Sequence, residues 1–113
     1  MQAISDTPYL GELEHLLLLA ILQCGDDAYT VPIREVLAER SGRHIGRGAL
    51  HTSLDRLQSK GLVESRLGEP LAIRGGRSRR YFSVTAAGLD AIRAARAAMA
   101  NLSQGLDSVI GRQ

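Results

Sequence analysis

Fourteen Lys and Arg side chains, three histidines and one cysteine are the groups with chemistry to offer in this chain of 113 residues. His15, His44, His51 and Cys24 do not fall at spacings that bring ligands to one metal ion, and no Ser and His pair has an acid placed to complete a catalytic triad. The glycines at 42, 46 and 48 follow a helical pattern instead of a strand, so they do not form the phosphate loop of a nucleotide enzyme. Neither catalysis nor a metal or cofactor is expected. The arginines are different. Arg74, Arg77, Arg79 and Arg80 stand around Gly75 and Gly76, and four like charges on a short, glycine-bearing segment gain most when an anion lies between them.

Charge along the whole chain supports a local anion site. The formal sum is only +2, but residues 1–42 hold two cations against seven anions, −5, whereas residues 43–80 hold nine against three, +6. The remainder adds +1. A basic middle on an otherwise acidic chain points to a localised polyanion partner. Membrane proteins are excluded, because the longest apolar run, 16–22, is seven residues and a span needs about 20. Residues 1–6 carry no basic region of the kind that opens a signal peptide, so a cytoplasmic protein is expected. Cys24 is alone, which rules out an intramolecular disulfide and favours a place in the core.

The elements that must position these charges follow from periodicity. Leu10, Leu13, Leu17, Ala20, Ile21 and Cys24 recur at three- and four-residue steps, a helix whose extra Leu16, Leu18 and Leu19 make it apolar on most sides. Thr7 and Pro8 are its expected starters, and Gly25, Asp26 and Asp27 its stop. Thr30 is the expected cap of a second helix, with Pro32 in the first turn, Ile33, Val36 and Leu37 as buried stripe and Gly42 as end. A third helix over 47–60 has Leu50, Leu54 and Leu57 on one face and Gly61 where a left-handed residue closes a helix. Its opposite face carries Gly48, Thr52, Asp55, Arg56 and Ser59, flanked by His51 and Ser53. That face is polar and mostly short-chained, able to lie closely against a grooved surface.

After Gly61 the pattern changes to strands over 62–67 and 79–84, joined by a long tip, with Phe82 and Val84 on the side that seals the core. Thr85 caps a last helix running at least to residue 102. Ile92, Ala95, Met99, Leu102, Leu106 and Val109 are spaced as a coiled-coil-like seam. About 20 helical residues extend roughly 30 Å, beyond what so small a domain covers, so a partner copy is expected along the seam, with packing on the first helix as the alternative for part of its length. Gly105 predicts fraying over 107–113.

Helix, helix, helix, two-stranded wing and helix is the order of a winged helix-turn-helix: mainly α with a small β-hairpin, here with a C-terminal dimerisation helix. The division expected is 1–84 for DNA binding and 85–113 for dimerisation, within one compact domain. Particular segments carry a family resemblance. Leu10-Gly11-Glu12-Leu13-Glu14, Leu18-Leu19-Ala20-Ile21-Leu22, Gly25-Asp26-Asp27-Ala28-Tyr29 and Ile33-Arg34-Glu35 are followed by Arg47-Gly48-Ala49-Leu50, Leu54-Asp55-Arg56-Leu57 and Lys60-Gly61-Leu62-Val63. Arg74-Gly75-Gly76-Arg77, Arg80-Tyr81-Phe82 and Thr85-Ala86-Ala87-Gly88 complete the set. In this order and spacing, over about residues 10–89, the chain resembles the PadR family of bacterial transcriptional regulators, in its smaller form with one C-terminal helix. Two positions depart from the family pattern: His51 where tyrosine is usual, and Gly46 where a capping serine is common.

The resemblance implies a homodimer that binds a short inverted repeat in double-stranded DNA, usually as a repressor, in the cytoplasm and on the nucleoid when bound. Within that frame the residues sort by physics. Arg47, Gly48, Thr52, Ser53 and Arg56 are expected on the exposed face, Arg reading guanine and Thr contacting a thymine methyl or a phosphate. His51 could donate to a phosphate, better when protonated. Arg43, Arg74, Arg77, Arg79 and Arg80 are expected to hold phosphates. Arg56 has an alternative as ion-pair partner of Glu35 or Glu39. The dimer interface is expected at Ile92, Ala95, Met99, Leu102 and Leu106. An effector that stacks on aromatics is not expected, because there is no tryptophan and the last helix has no aromatic; aliphatic residues around Met99 and Leu16 could line a cavity for another kind of small molecule. The competing reading is a winged-helix module that binds protein without sequence-specific DNA binding.

Overall fold

A computed structural model of the chain describes residues 10–70 and 78–111. Helices α1 (Glu12–Cys24), α2 (Thr30–Ser41) and α3 (Arg47–Ser59) come first, with a 3-10 turn, Gly25–Asp27, between α1 and α2. Strands β1 (Val63–Pro70) and β2 (Ser78–Val84) follow, then α4 (Ala86–Ser103) and a single turn, α5 (Asp107–Ile110). Among the described residues no helix is long and apolar enough to cross a membrane.

The apolar spacing read in α1 becomes the centre of the core. Leu17, Ala20 and Ile21 are buried, and so is Leu18, because α1 is packed on several sides, by α2, β2 and α4. Thr7 and Pro8 lie outside the described residues. The helix opens at Glu12, with the Gly11 N–H donating to Glu14 Oε1 at 3.0 Å. In α2 the expected cap is displaced by one residue. Tyr29 is the extended N-cap and Thr30 already lies inside the helix. The first intrahelical bond runs from Ile33 N–H to the Tyr29 carbonyl at 3.1 Å, so Pro32 falls in the first turn, where no donor is required.

Helix α3 buries Leu50, Leu54 and Leu57 and ends at Gly61, where φ is +76°. There the Leu62 N–H donates to the Leu57 carbonyl and the Gly61 N–H to the Gln58 carbonyl, a Schellman closure with buried Leu62 and Leu57 as its apolar pair. The chain leaves this closure directly into the hairpin. Strands β1 and β2 pair antiparallel, Val63 opposite Val84 and Leu67 opposite Arg80, with an irregularity between Leu67 and Pro70. Phe82 is buried and Val84 half-buried, as the alternation predicts, and the Phe82 N–H donates to the Ala28 carbonyl at 2.8 Å.

Thr85 joins wing to helix. Its hydroxyl donates to the Gly61 carbonyl at 2.7 Å and accepts from Gly88 N–H at 3.1 Å, capping α4 as expected. Gly88 is required by close approach: a Cβ there would lie 2.3 Å from the Leu62 carbonyl oxygen and 2.6 Å from Val84 Cγ1.

The expected seam on α4 needs correction at both ends. Ile92 is only 5% exposed and belongs to the protomer's own core with Ala91, because the first half of α4 packs against α1 and β2. Leu106 and Val109 do not continue the stripe, since α4 stops at Ser103 and the backbone turns at Gln104 (φ −59°, ψ 130°) and Gly105 (φ +82°). The tail read as frayed instead forms α5 over Asp107–Ile110. Beyond half-buried Ala95, the apolar side chains of Met99 (67% exposed) and Leu102 (77%) stand clear of the protomer.

Candidate nucleic-acid interface

Burial of the leucine stripe turns the other side of α3 outward. Arg47, Gly48, His51, Thr52, Asp55, Arg56 and Ser59 are exposed there. Gly46 has no side chain to cap the helix, so the first turn lacks a side-chain cap bond. Among the described residues Arg47 and Arg56 make no ion pair, so Arg56 is not engaged by Glu35 or Glu39. Ser53 is a correction. It is 8% exposed and shares the inner side with Leu50, Leu54 and Leu57, three residues from Leu50 and four from Leu57, so it cannot face a ligand across α3.

The turn before α3 is braced. Arg34 Nε donates to the Ile45 carbonyl at 3.1 Å, and the Arg43 N–H donates to Ser41 Oγ at 3.1 Å. Arg43 also reaches Glu12 at 3.1 Å in a pair whose members are both well exposed. At the other end of α3, Lys60 Nζ donates to Glu14 Oε2 at 2.6 Å. Burial alone pushes the Glu14 carboxyl up, but the Lys60 bond, the Gly11 N–H and the charges of Lys60 and Arg56 outweigh it and hold Glu14 below the ordinary carboxylate range. Two glutamates from the first turn of α1 thus hold one cation in the turn before α3 and one at its C-terminal end. Neither Arg34 as a brace nor Glu14 as an anchor was read from the sequence, because each acts through a partner far along the chain.

The wing divides its arginines between two faces. On one face Arg79 lies over the Tyr29 ring, 4.3 Å from its centroid, and Arg66 lies over Tyr81 at 4.7 Å. Tyr29 and Tyr81 meet edge to face at 5.6 Å, so the four side chains form one continuous cluster with an arginine at each end. On the other face Arg80 turns back toward α3: Nε donates to Ser65 Oγ at 3.1 Å, Nη2 to Gln58 Oε1 at 2.8 Å, and Nη1 lies 3.7 Å from Asp55 Oδ1. Phe82 lies beneath it at 5.3 Å. The expectation that Arg80 offers its charge to phosphate meets a guanidinium hydrogen-bonded inward through Nε and Nη2, with Nη1 near Asp55. Leu67, paired with Arg80 across the strands, is exposed and was not singled out by its sequence. Arg74 and Arg77 lie outside the described residues.

Other chemistry is weakly represented. Among the described residues no group of three His, Cys, Asp or Glu side chains could hold a metal ion. Burial, then the charges of Asp27 and Glu35, push the Cys24 thiol up, away from the reactive thiolate.

Three helices, a braced turn, an outward polar α3 and a two-stranded wing define a winged helix-turn-helix protein. The chain belongs to the PadR-like family of transcriptional regulators, whose family model matches residues 18–94. The family is one of regulators and not of enzymes. Solved structures agree in fold. A PadR family transcription regulator from Clostridium difficile R20291 is 24% identical, with TM-score 0.68 over 87% of this chain and 98% of its own. A PadR-like regulator from Bacillus cereus is 22% identical, with TM-score 0.68 over 89% and 93%. One from Eggerthella lenta is 26% identical, with TM-score 0.66 over 90% and 88%. No curated protein matches the chain.

Proposed function

We propose that this protein is a sequence-specific DNA-binding regulator, acting as a homodimeric repressor on an inverted-repeat operator. The outward face of α3 carries this reading: Arg47, Gly48, His51, Thr52 and Arg56 are exposed on a helix whose opposite side is locked into the core by three leucines. Small residues let the helix enter a major groove closely, where Arg47 and Arg56 can reach guanine edges and Thr52 a thymine methyl. Arg43 has a ready exchange. Its pair with Glu12 is exposed and so worth little in water, and a phosphate can replace the carboxylate. Arg79, exposed and lying over the Tyr29 ring, serves the same purpose, with Arg74 and Arg77 as further phosphate contacts.

In this reading residues 1–84 bind DNA and 85–113 form the dimer. Ala95, Met99 and Leu102 supply the seam, and Leu106 meets the partner from the turn after α4. Support comes from the exposed apolar side chains there and from an apolar groove of about 200 Å³ between α1 and α2, lined by Leu16, Leu19 and Val36, which offers a second surface to cover. A two-fold dimer presents two copies of α3, matching the symmetry of an inverted repeat.

The test is a mobility-shift titration against a duplex selected from a random pool and an unrelated duplex, each at two salt concentrations. Binding to both at low salt, a steep fall with salt and a retained preference for the selected duplex are expected. No binding at low salt overturns the reading.

A further inference from the structure

We propose that Arg80 is a positioning residue: its guanidinium fixes the wing at a set angle to α3, and Asp55 is its counterion instead of a base-reading group. The proposal rests on the DNA-binding reading above and deepens it. One side chain bridges three elements, since its own strand is β2, Ser65 belongs to β1, and Gln58 and Asp55 belong to α3. The bridge is closed on itself by Ser65 Oγ donating to Gln58 Oε1 at 3.3 Å. Its base is rigid. Phe82 under the guanidinium is part of the core, so the arginine is held from below by a side chain that does not move with the wing tip.

The geometry needs arginine in particular. A planar fork can serve Ser65, Gln58 and Asp55 at once while stacking on a ring, whereas an ammonium carries the same charge without the fork or the stack. The wing also needs such a brace. A two-stranded hairpin is marginal by itself, and this one projects beyond the Gly61 closure and the Thr85 hydroxyl that hold its root. Without the brace the wing arginines would have to find their phosphates from a spread of angles. Asp55 gains a reason as well: a carboxylate on the outward side of α3 repels DNA unless a cation is kept beside it.

Charge and fork are separated by comparing Arg80→Lys with Arg80→Gln in mobility-shift titrations across a salt series, with circular dichroism on each variant. A positioning role predicts that both variants lose affinity alike, about tenfold, with the slope of log affinity against log salt unchanged. If Arg80→Lys binds as wild type while Arg80→Gln loses affinity and lowers the slope by about 0.9, Arg80 is a phosphate contact and the proposal is overturned. Coupling gives a second reading. Asp55→Asn should raise the affinity of Arg80→Gln more than that of wild type, and equal gains in both backgrounds overturn the pairing. Should Arg80→Gln fail to fold, Gln58→Ala removes an acceptor and no charge; a loss of about threefold at unchanged slope supports the brace, and wild-type affinity sinks it. Failure of the wild type itself to bind would instead remove the DNA-binding reading.

Discussion

Glu14 shows how much a single carboxylate can do for this fold. Its side chain is 12% exposed, takes the Lys60 ammonium and the Gly11 N–H together, and ties the start of α1 to the end of α3. Burial raises its pKa, and the two bonds and nearby cations lower it further than burial raises it, so the folded value is below the unfolded one. A depressed carboxylate stabilises the fold fully above its unfolded pKa and loses that contribution as pH falls through the folded value. Glu14→Gln is therefore expected to reduce stability at neutral pH by about 1 kcal/mol, a figure kept small because Lys60 is partly solvated. It should also remove part of the acid-side loss in urea unfolding between neutral pH and pH values below the carboxylate range. An unchanged acid limb would show that the anchor has no energetic weight. At this scale the chain was only half legible. Thr85 as a cap and Gly61 as a closure depend on neighbours within a few residues, and both were readable. Arg80 finds its partners fifteen and twenty-two residues away, and Ser53 takes its side of α3 from packing, so neither could be placed from local spacing.

The elements were mostly legible because their apolar periods differ. Leu50, Leu54 and Leu57 mark a helix, and the alternation of Phe82 and Val84 marks a strand with one buried side. What periodicity could not reveal was how α4 meets the wing. Gly88 stands where any Cβ would collide with the Leu62 carbonyl and Val84, both of them fixed by the hairpin root. Neither neighbour is a flexible side-chain end that can yield cheaply. Gly88→Ala is expected to destabilise the protein by about 2 kcal/mol through overpacking, in spite of alanine's better helix propensity. Denaturant unfolding measures this directly; a stabilised variant would mean that α4 can shift away from the hairpin without loss. The far end of the expected stripe needed correction for a related reason. A 3, 4, 3, 4 spacing assumes one unbroken helix, and Gly105 with positive φ ends that assumption before Leu106.

For the whole molecule, the small net charge conceals a separation that the fold turns into contacts. Acidic Glu12 and Glu14 from the first third are ion-paired to Arg43 and Lys60 from the basic middle, leaving Arg47 and Arg56 as the unpaired cations of α3 among the described residues. Apolar surface is separated in the same way. Leu102→Asp alters a side chain with little contact inside the protomer, so it should leave helix content unchanged while giving monomers in sedimentation and weak DNA binding. A retained dimer would refute the seam. Wild-type Tm should rise with protein concentration, and that of the variant should not. Helix α4 changes its allegiance near Ala95: inward of it, at Ala91 and Ile92, a substitution is felt by every molecule at any dilution. Outward of it, at Met99 and Leu102, the proposed dimer predicts that the same substitution is felt only when two molecules meet. Dosage in the cell would therefore buffer one class of mutation and leave the other untouched.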